Sequence, residues 1–248
     1  MLSYTSIHIT SIGLLWVVLS ACSKPEVTIE KMSTREINER LAVYNRDGLG
    51  ELTLSERGET PLVSYAEADR MDDELQKRAA HSIKPFVEIW KTERRGWVRA
   101  YSLMYLWSPP ESERPIVKEL IREVLRDNIP RISAMGAHNA CVLMKNGYFT
   151  YDDSELNRWI IEAIESENNK SARHLYFMAI QNSLRNDQSL SIPQVRSSAI
   201  AKFVQEGVKK GTWKNEFSHK HAVKLDEMYR NLGFENSSSG LSSEPKVR

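Results

Sequence analysis

His138 and Cys141 lie three residues apart in Ala137-His138-Asn139-Ala140-Cys141-Val142-Leu143-Met144, a spacing that puts an imidazole and a thiol on one face of a helix. Such a pair can supply a thiolate nucleophile when a third group orients the imidazole and a cleft admits substrate. No orienting group is evident, and the flanking Ala, Val, Leu and Met residues predict a core position with a buried, inert thiol. His219 and His221 are two apart. On a helix they point about 200° from one another and cannot share a metal ion, and Asp226 or Glu227 does not repair that geometry. Trp97, Tyr101 and Tyr105 form an i, i+4, i+8 stripe, while Ala100, Leu103 and Trp107 fall on another face. A helix apolar nearly all round predicts core packing, with an exposed aromatic face for a partner as the other reading. G-x-S-x-G, a phosphate-cradling glycine loop, H-E-x-x-H and C-x-x-C are all missing from the sequence. These residues therefore single out no catalytic, cofactor-binding or metal-ligating set.

One oxygen-rich stretch needs separate treatment. Asn45-Arg46-Asp47-Gly48-Leu49-Gly50-Glu51-Leu52-Thr53-Leu54-Ser55-Glu56 resembles an EF-hand calcium loop, with Asn45, Asp47, Gly50, Leu52 and Glu56 at loop positions 1, 3, 6, 8 and 12. The resemblance implies oxygens converging on a hard cation, a glycine for the sharp turn and a bidentate glutamate closing the sphere. Leu49 stands where the fifth position wants an oxygen, and Asn45 offers a neutral one where Asp is usual. Gly58 and Pro61 interrupt the exit helix after barely a turn. The stretch is accordingly expected to be a loop with a short β-like turn over 49–54, between two helices and without a metal.

The elements that would position these residues begin with an unusual leader. Leu14 to Leu19, with Ile12 just before, form an apolar run far shorter than the roughly 20 residues needed to span a bilayer. A short apolar run followed by small residues predicts an export signal. The tetrapeptide Leu19-Ser20-Ala21-Cys22 resembles the lipobox of bacterial lipoproteins. In that family the signal is cut before the cysteine, whose thiol receives a diacylglycerol and whose new amino terminus is acylated. The resemblance implies a signal peptide over 1–21, lipidation of Cys22 and a membrane partner reached through its acyl chains. Ser23 stands where an Asp would resemble an inner-membrane retention signal, so the likeness implies the periplasmic face of the outer membrane. The segment before the apolar run carries His8 and the terminal amine but neither Lys nor Arg. An ordinary signal cleaved elsewhere, or a retained helical anchor, are the other readings.

Beyond a tether over 22–32, the dominant period is helical from Ser33 to about residue 234. Ile37, Leu41 and Tyr44 fall at i, i+4, i+7, and Ala68, Met71, Leu75 and Ala79 at i, i+3, i+7, i+11. Pro115 suits a first helical turn, Gly147 and Gly233 suit helix ends, and Asp153 or Ser154, Ser171 and Ser191 suit helix starts. The tail 235–248 is expected to be disordered. About nine helices joined by short loops follow, an all-α body around one continuous core. Pairs beginning near Trp97, Ile132 and Ala172 are roughly 35–40 residues apart, within the range of helical repeats. Trp97-Val98-Arg99-Ala100-Tyr101-Ser102-Leu103 resembles the start of a HEAT-type helix, implying a solenoid, and a non-repeating helical bundle accounts for the same pattern.

Composition narrows the function. The 248 residues carry 34 Lys+Arg against 33 Asp+Glu, a net charge of +1, which gives no electrostatic case for nucleic acid. Hydrophobic residues at 41% exclude wholesale disorder, and two cysteines exclude a disulfide scaffold. A medium-sized helical lipoprotein without a catalytic motif is similar in outline to immunity lipoproteins paired with type VI secretion phospholipases. That similarity implies a non-enzymatic module that occludes a delivered toxin's active site. An assembly lipoprotein of an envelope machine and an envelope hydrolase are the alternatives.

Overall fold

Side-chain caps open six of the α-helices among the described residues of the computed structural model, which describes residues 28–48, 50–185 and 198–234. The leader 1–21, Cys22, Leu49, Ser191 and the tail 235–248 lie outside the described residues. Among those described the chain is all-α, with no strand, and no helix is long and apolar enough to cross a membrane. Among the described residues there are eleven α-helices: α1 (Thr34–Gly48), α2 (Leu54–Arg57), α3 (Tyr65–His81), α4 (Lys84–Thr92), α5 (Gly96–Tyr101), α6 (Arg114–Leu125), α7 (Pro130–Lys145), α8 (Ser154–Glu165), α9 (Arg173–Leu184), α10 (Ala199–Lys210) and α11 (Glu216–Asn231). The short α2 is an addition to the expected set.

Thr53 and Ser64 open α2 and α3 with reciprocal capping boxes to Glu56 and Glu67. Pro115 sits in the first turn of α6, and Asp153 caps α8 through the Glu155 and Leu156 amides. Gly147 and Gly233 take the left-handed backbone that ends α7 and α11. Ser171 is a correction: it falls within a 3₁₀ turn, Glu167–Ala172, and does not cap α9. Arg173 fixes this junction instead, its guanidinium donating to the carbonyls of Ile164 and Glu165 at the end of α8. Ser198 caps α10.

One cap is tertiary. The Glu113 carboxylate accepts from the Ile83 amide at 2.7 Å and the Ser82 hydroxyl at 2.8 Å, holding the start of α4 from 30 residues away. Glu113→Ala leaves these donors unsatisfied at a buried helix end and is expected to cost about 2 kcal/mol. Urea unfolding at constant m-value tests this, and an unchanged midpoint refutes it.

Within the expected tether 22–32, Ile29–Lys31 forms a 3₁₀ turn with Ile29 fully buried, so this part packs on the body. Arg78 on α3 secures it by donating to the carbonyls of Met32 and Glu30. The single continuous core is also corrected. Ile29, Ile37, Leu41, Ala68, Met71 and Leu75 gather in an N-terminal cluster, while a larger cluster runs from Ile83 to Phe234. Helix α4 straddles the two, giving Phe86 to the first and Trp90 to the second.

In the larger part, α7 packs on α9 and α9 on α11 in one row, while α6 packs on α8 and α8 on α10 in the other. Gly136 allows the close approach of α6 and α7: a Cβ there would lie 2.9 Å from the Val124 side chain and 3.2 Å from the Leu125 backbone nitrogen. The expected helix pair beginning at Trp97 is cut short. α5 ends at Tyr101 and tightens into a 3₁₀ turn, Ser102–Tyr105, where the Ser102 hydroxyl donates to the Arg99 carbonyl. Asn139, buried in α7, clamps that turn by donating to the Leu103 carbonyl.

Candidate functional site

The turn after α5 redistributes the aromatic stripe. Tyr105 enters the N-terminal cluster, 6% exposed, and stacks on Phe86 at 5.7 Å. Its hydroxyl donates to Asp72 at 2.7 Å. Tyr101 meets Tyr105 edge to face at 5.9 Å, and Asn45 of α1 donates to the Tyr101 hydroxyl at 2.9 Å. Burial pushes both phenols upward, Tyr105 the further, so they act as neutral hydrogen-bonding groups. Core packing is thus the fate of Tyr105, while Trp97 and Tyr101 are half-buried and line a surface groove.

That groove, about 500 Å³, lies between α1, α5 and the start of α7. Its walls include Trp97, Tyr101, Met104, Ile129 and Met135, with Arg46, Glu51 and Arg131 at the rim. A second hollow of about 330 Å³ lies on the other side of Tyr101 and Met104 and is bounded by Asp72, Tyr105 and Trp107. Met104 is 42%, Trp107 49% and Ile129 43% exposed. Exposed aromatic and thioether side chains on a shared ridge are the composition of interface hot spots. Arg46 is tied to Glu51 at 2.8 Å. Arg131 is exposed and, among the described residues, has no ion partner. Sequence periodicity identified Trp97 and Tyr101 but not Met104 and Ile129, which reach the surface through the 3₁₀ turn and through the bend before α7.

The other candidates are dispersed. Asn45 to Gly48 belong to α1, which corrects the expected loop and β-like turn. Asn45 spends its amide on the Leu41 carbonyl and Tyr101, and Glu56 accepts from the Thr53 amide and hydroxyl. That capping holds the Glu56 carboxyl below its ordinary range, Thr53 being the leading cause. The two outer EF-hand positions are therefore engaged in helix chemistry. Calcium titrated into the protein is expected to give no binding heat by calorimetry, and a saturable isotherm lost in Glu56→Gln would overturn this reading.

Cys141 is 3% exposed, and burial pushes its thiol up to about 12. His138 faces elsewhere, its Nδ1 3.0 Å from the Ala179 carbonyl. The thiol is expected to react with iodoacetamide at pH 8 about a thousandfold more slowly in the native state than in urea, because thiolate and access are both lacking. Native labelling at the unfolded rate would refute its burial. On α11, His219 is exposed and His221 is half-buried. Among the described residues, His, Cys, Asp and Glu side chains form no group of three that could hold a metal. Among the described residues the carboxyls with displaced pKa are Glu56 and Glu93, both displaced downward. Burial pushes Glu93 up, and its hydrogen bonds from Arg95 more than reverse this. Neither is a raised carboxyl of the kind a general acid requires.

No family model, curated protein or solved structure matches this chain. The functional reading therefore rests on the groove and on the leader.

Proposed function

We propose that this protein is a lipid-anchored module on the periplasmic face of the outer membrane that binds another protein, in the manner of an immunity protein occluding a delivered toxin such as a phospholipase. The observation that carries the reading is the ridge of half-buried Tyr101 and exposed Met104 between two hollows, with exposed Trp107 bordering one of them. Cys22 supplies the anchor through its acyl chains, which concentrates the module where an incoming enzyme would act. The occupant of the groove is an apolar loop flanked by acidic residues: the loop fills the space beside Trp97 and Met104, and a carboxylate meets Arg131. The reading involves no catalytic step, no cofactor, no metal and no nucleic acid. A helical stack, HEAT-like in its hairpins, suits such work because its ridges present a rigid surface.

Purification of the full chain from envelope extracts is expected to yield a stable one-to-one complex. Met104→Asp or Trp107→Ser should weaken that complex about 30-fold or more while leaving the melting temperature unchanged. A complex indifferent to both substitutions would move the interface elsewhere. Recovery without a partner, together with hydrolysis of peptidoglycan or phospholipid, would instead establish the envelope-hydrolase alternative.

A further inference from the structure

Positive charge is concentrated at the C-terminal end of the helical rows. From the start of α10 to the end of α11, residues 199–231, six lysines and Arg230 stand against Glu206, Glu216, Asp226 and Glu227, a local excess of three positive charges in a chain that is only +1 overall. Phe217, in the first turn of α11, is 65% exposed, and its ring lies 6.2 Å from that of His174 on α9. Met178, one turn along α9 from His174, is 39% exposed. Lys220, His221 and Lys224 follow Phe217 at i+3, i+4 and i+7, so they share its face of α11. Burial depresses the His221 pKa, and the charges that depress it further are all cationic: His174, Lys220 and Lys224.

We infer that this face, formed by Phe217, Met178, His174, Lys220, His221 and Lys224, docks on an anionic phospholipid surface. Exposed Glu216 and Glu227 border the face on the same helix, so its signature is a phenylalanine exposed among lysines and not the absence of acidic groups. Here apolar side chains can enter the head-group region while the lysines meet lipid phosphates, the pattern of an interfacial helix. The position of the face adds to the argument. The chain enters the body at Ile29 in the N-terminal cluster, whereas Leu225 and Tyr229 of α11 belong to the larger one. On the lipid-anchor reading, the acyl chains would hold one part of the body and this face the other, laying the helical rows along the bilayer.

The test uses the full chain carrying Cys22→Ser, so that acylation plays no part. It is expected to sediment with phosphatidylcholine vesicles containing about 30% phosphatidylglycerol, but not with phosphatidylcholine alone, and to be released by high salt. The double variant Lys220→Glu/Lys224→Glu should bind at least tenfold more weakly, about 1 kcal/mol being expected per surface lysine. Phe217→Ser should reduce binding at every salt concentration. All of these positions are exposed, so unchanged melting temperatures are expected and serve as the folding control. Equal sedimentation with both vesicle types, or binding unaffected by charge reversal, would overturn the inference, as would a preference for an acidic protein over the vesicles. Loss of palmitate incorporation at Cys22 is a separate measurement, so failure of the anchor and failure of this face are distinguishable.

Discussion

Gly207→Ala is expected to destabilise the protein by about 2 kcal/mol or more, although an alanine in mid-helix ordinarily adds about 1 kcal/mol. Gly207 lies within α10, and a Cβ there would sit inside the Trp213 ring, meeting Cη2, Cζ3 and Cζ2 closer than real contacts allow. The indole cannot retreat cheaply. Trp213 is 4% exposed and packed edge-on against Phe177 at 4.9 Å and Phe203 at 5.6 Å, tying α9 and α10 together. The added methyl therefore forces either the tryptophan or the helix to shift, and the overpacking cost exceeds the gain in helix propensity. Thermal melting should show a midpoint lower by roughly 4–8 °C. Combining Gly207→Ala with Trp213→Leu should cost less than the sum of the two single changes, because the smaller side chain makes room for the methyl. A raised midpoint for Gly207→Ala would show that the indole does not cover this glycine.

Cys22→Ala should remove the protein from membranes by the widest margin of any single change. Each buried methylene contributes about 0.8 kcal/mol, and one acyl chain alone gives only marginal binding, with an association constant of about 10⁴ M⁻¹. A diacylglycerol plus an amide-linked chain is effectively permanent on the time scale of fractionation. On the proposed lipid-anchor reading none of these chains can be attached without the thiol, and membrane partitioning is expected to fall by a factor of about 10⁴ or more after a high-salt wash. The wash matters because the cationic face of α9 and α11 would retain some protein at low salt. Radiolabelled palmitate still entering the Cys22→Ala protein would refute the anchor and the location that follows from it.

These two residues differ in how visible they are beforehand. Cys22 stands out because its resemblance to a lipobox is carried by four contiguous residues, Leu19-Ser20-Ala21-Cys22. Gly207 does not stand out, because the group that forbids a side chain there is an indole six residues on, placed by a turn through Gly211 in the left-handed region. Helix ends belong to the visible class. Pro115, Asp153, Gly147 and Gly233 sit where the local rules place them, since a cap and its amides are within a few residues of each other. Ser171 misled because a 3₁₀ turn, secured by Arg173 reaching back to α8, delayed the helix.

The amino-acid sequence by itself determined the all-α class, several helix ends and the burial of the Cys141 thiol. All of these follow from periodicity and neighbours close along the chain. Tertiary structure alone decided that Tyr105 is core while Tyr101, its neighbour on the stripe, borders a groove. It also decided that Glu113 caps a helix 30 residues away, and that the apolar residues divide into two clusters. Those outcomes depend on contacts between distant segments, whose free energies no local pattern encodes.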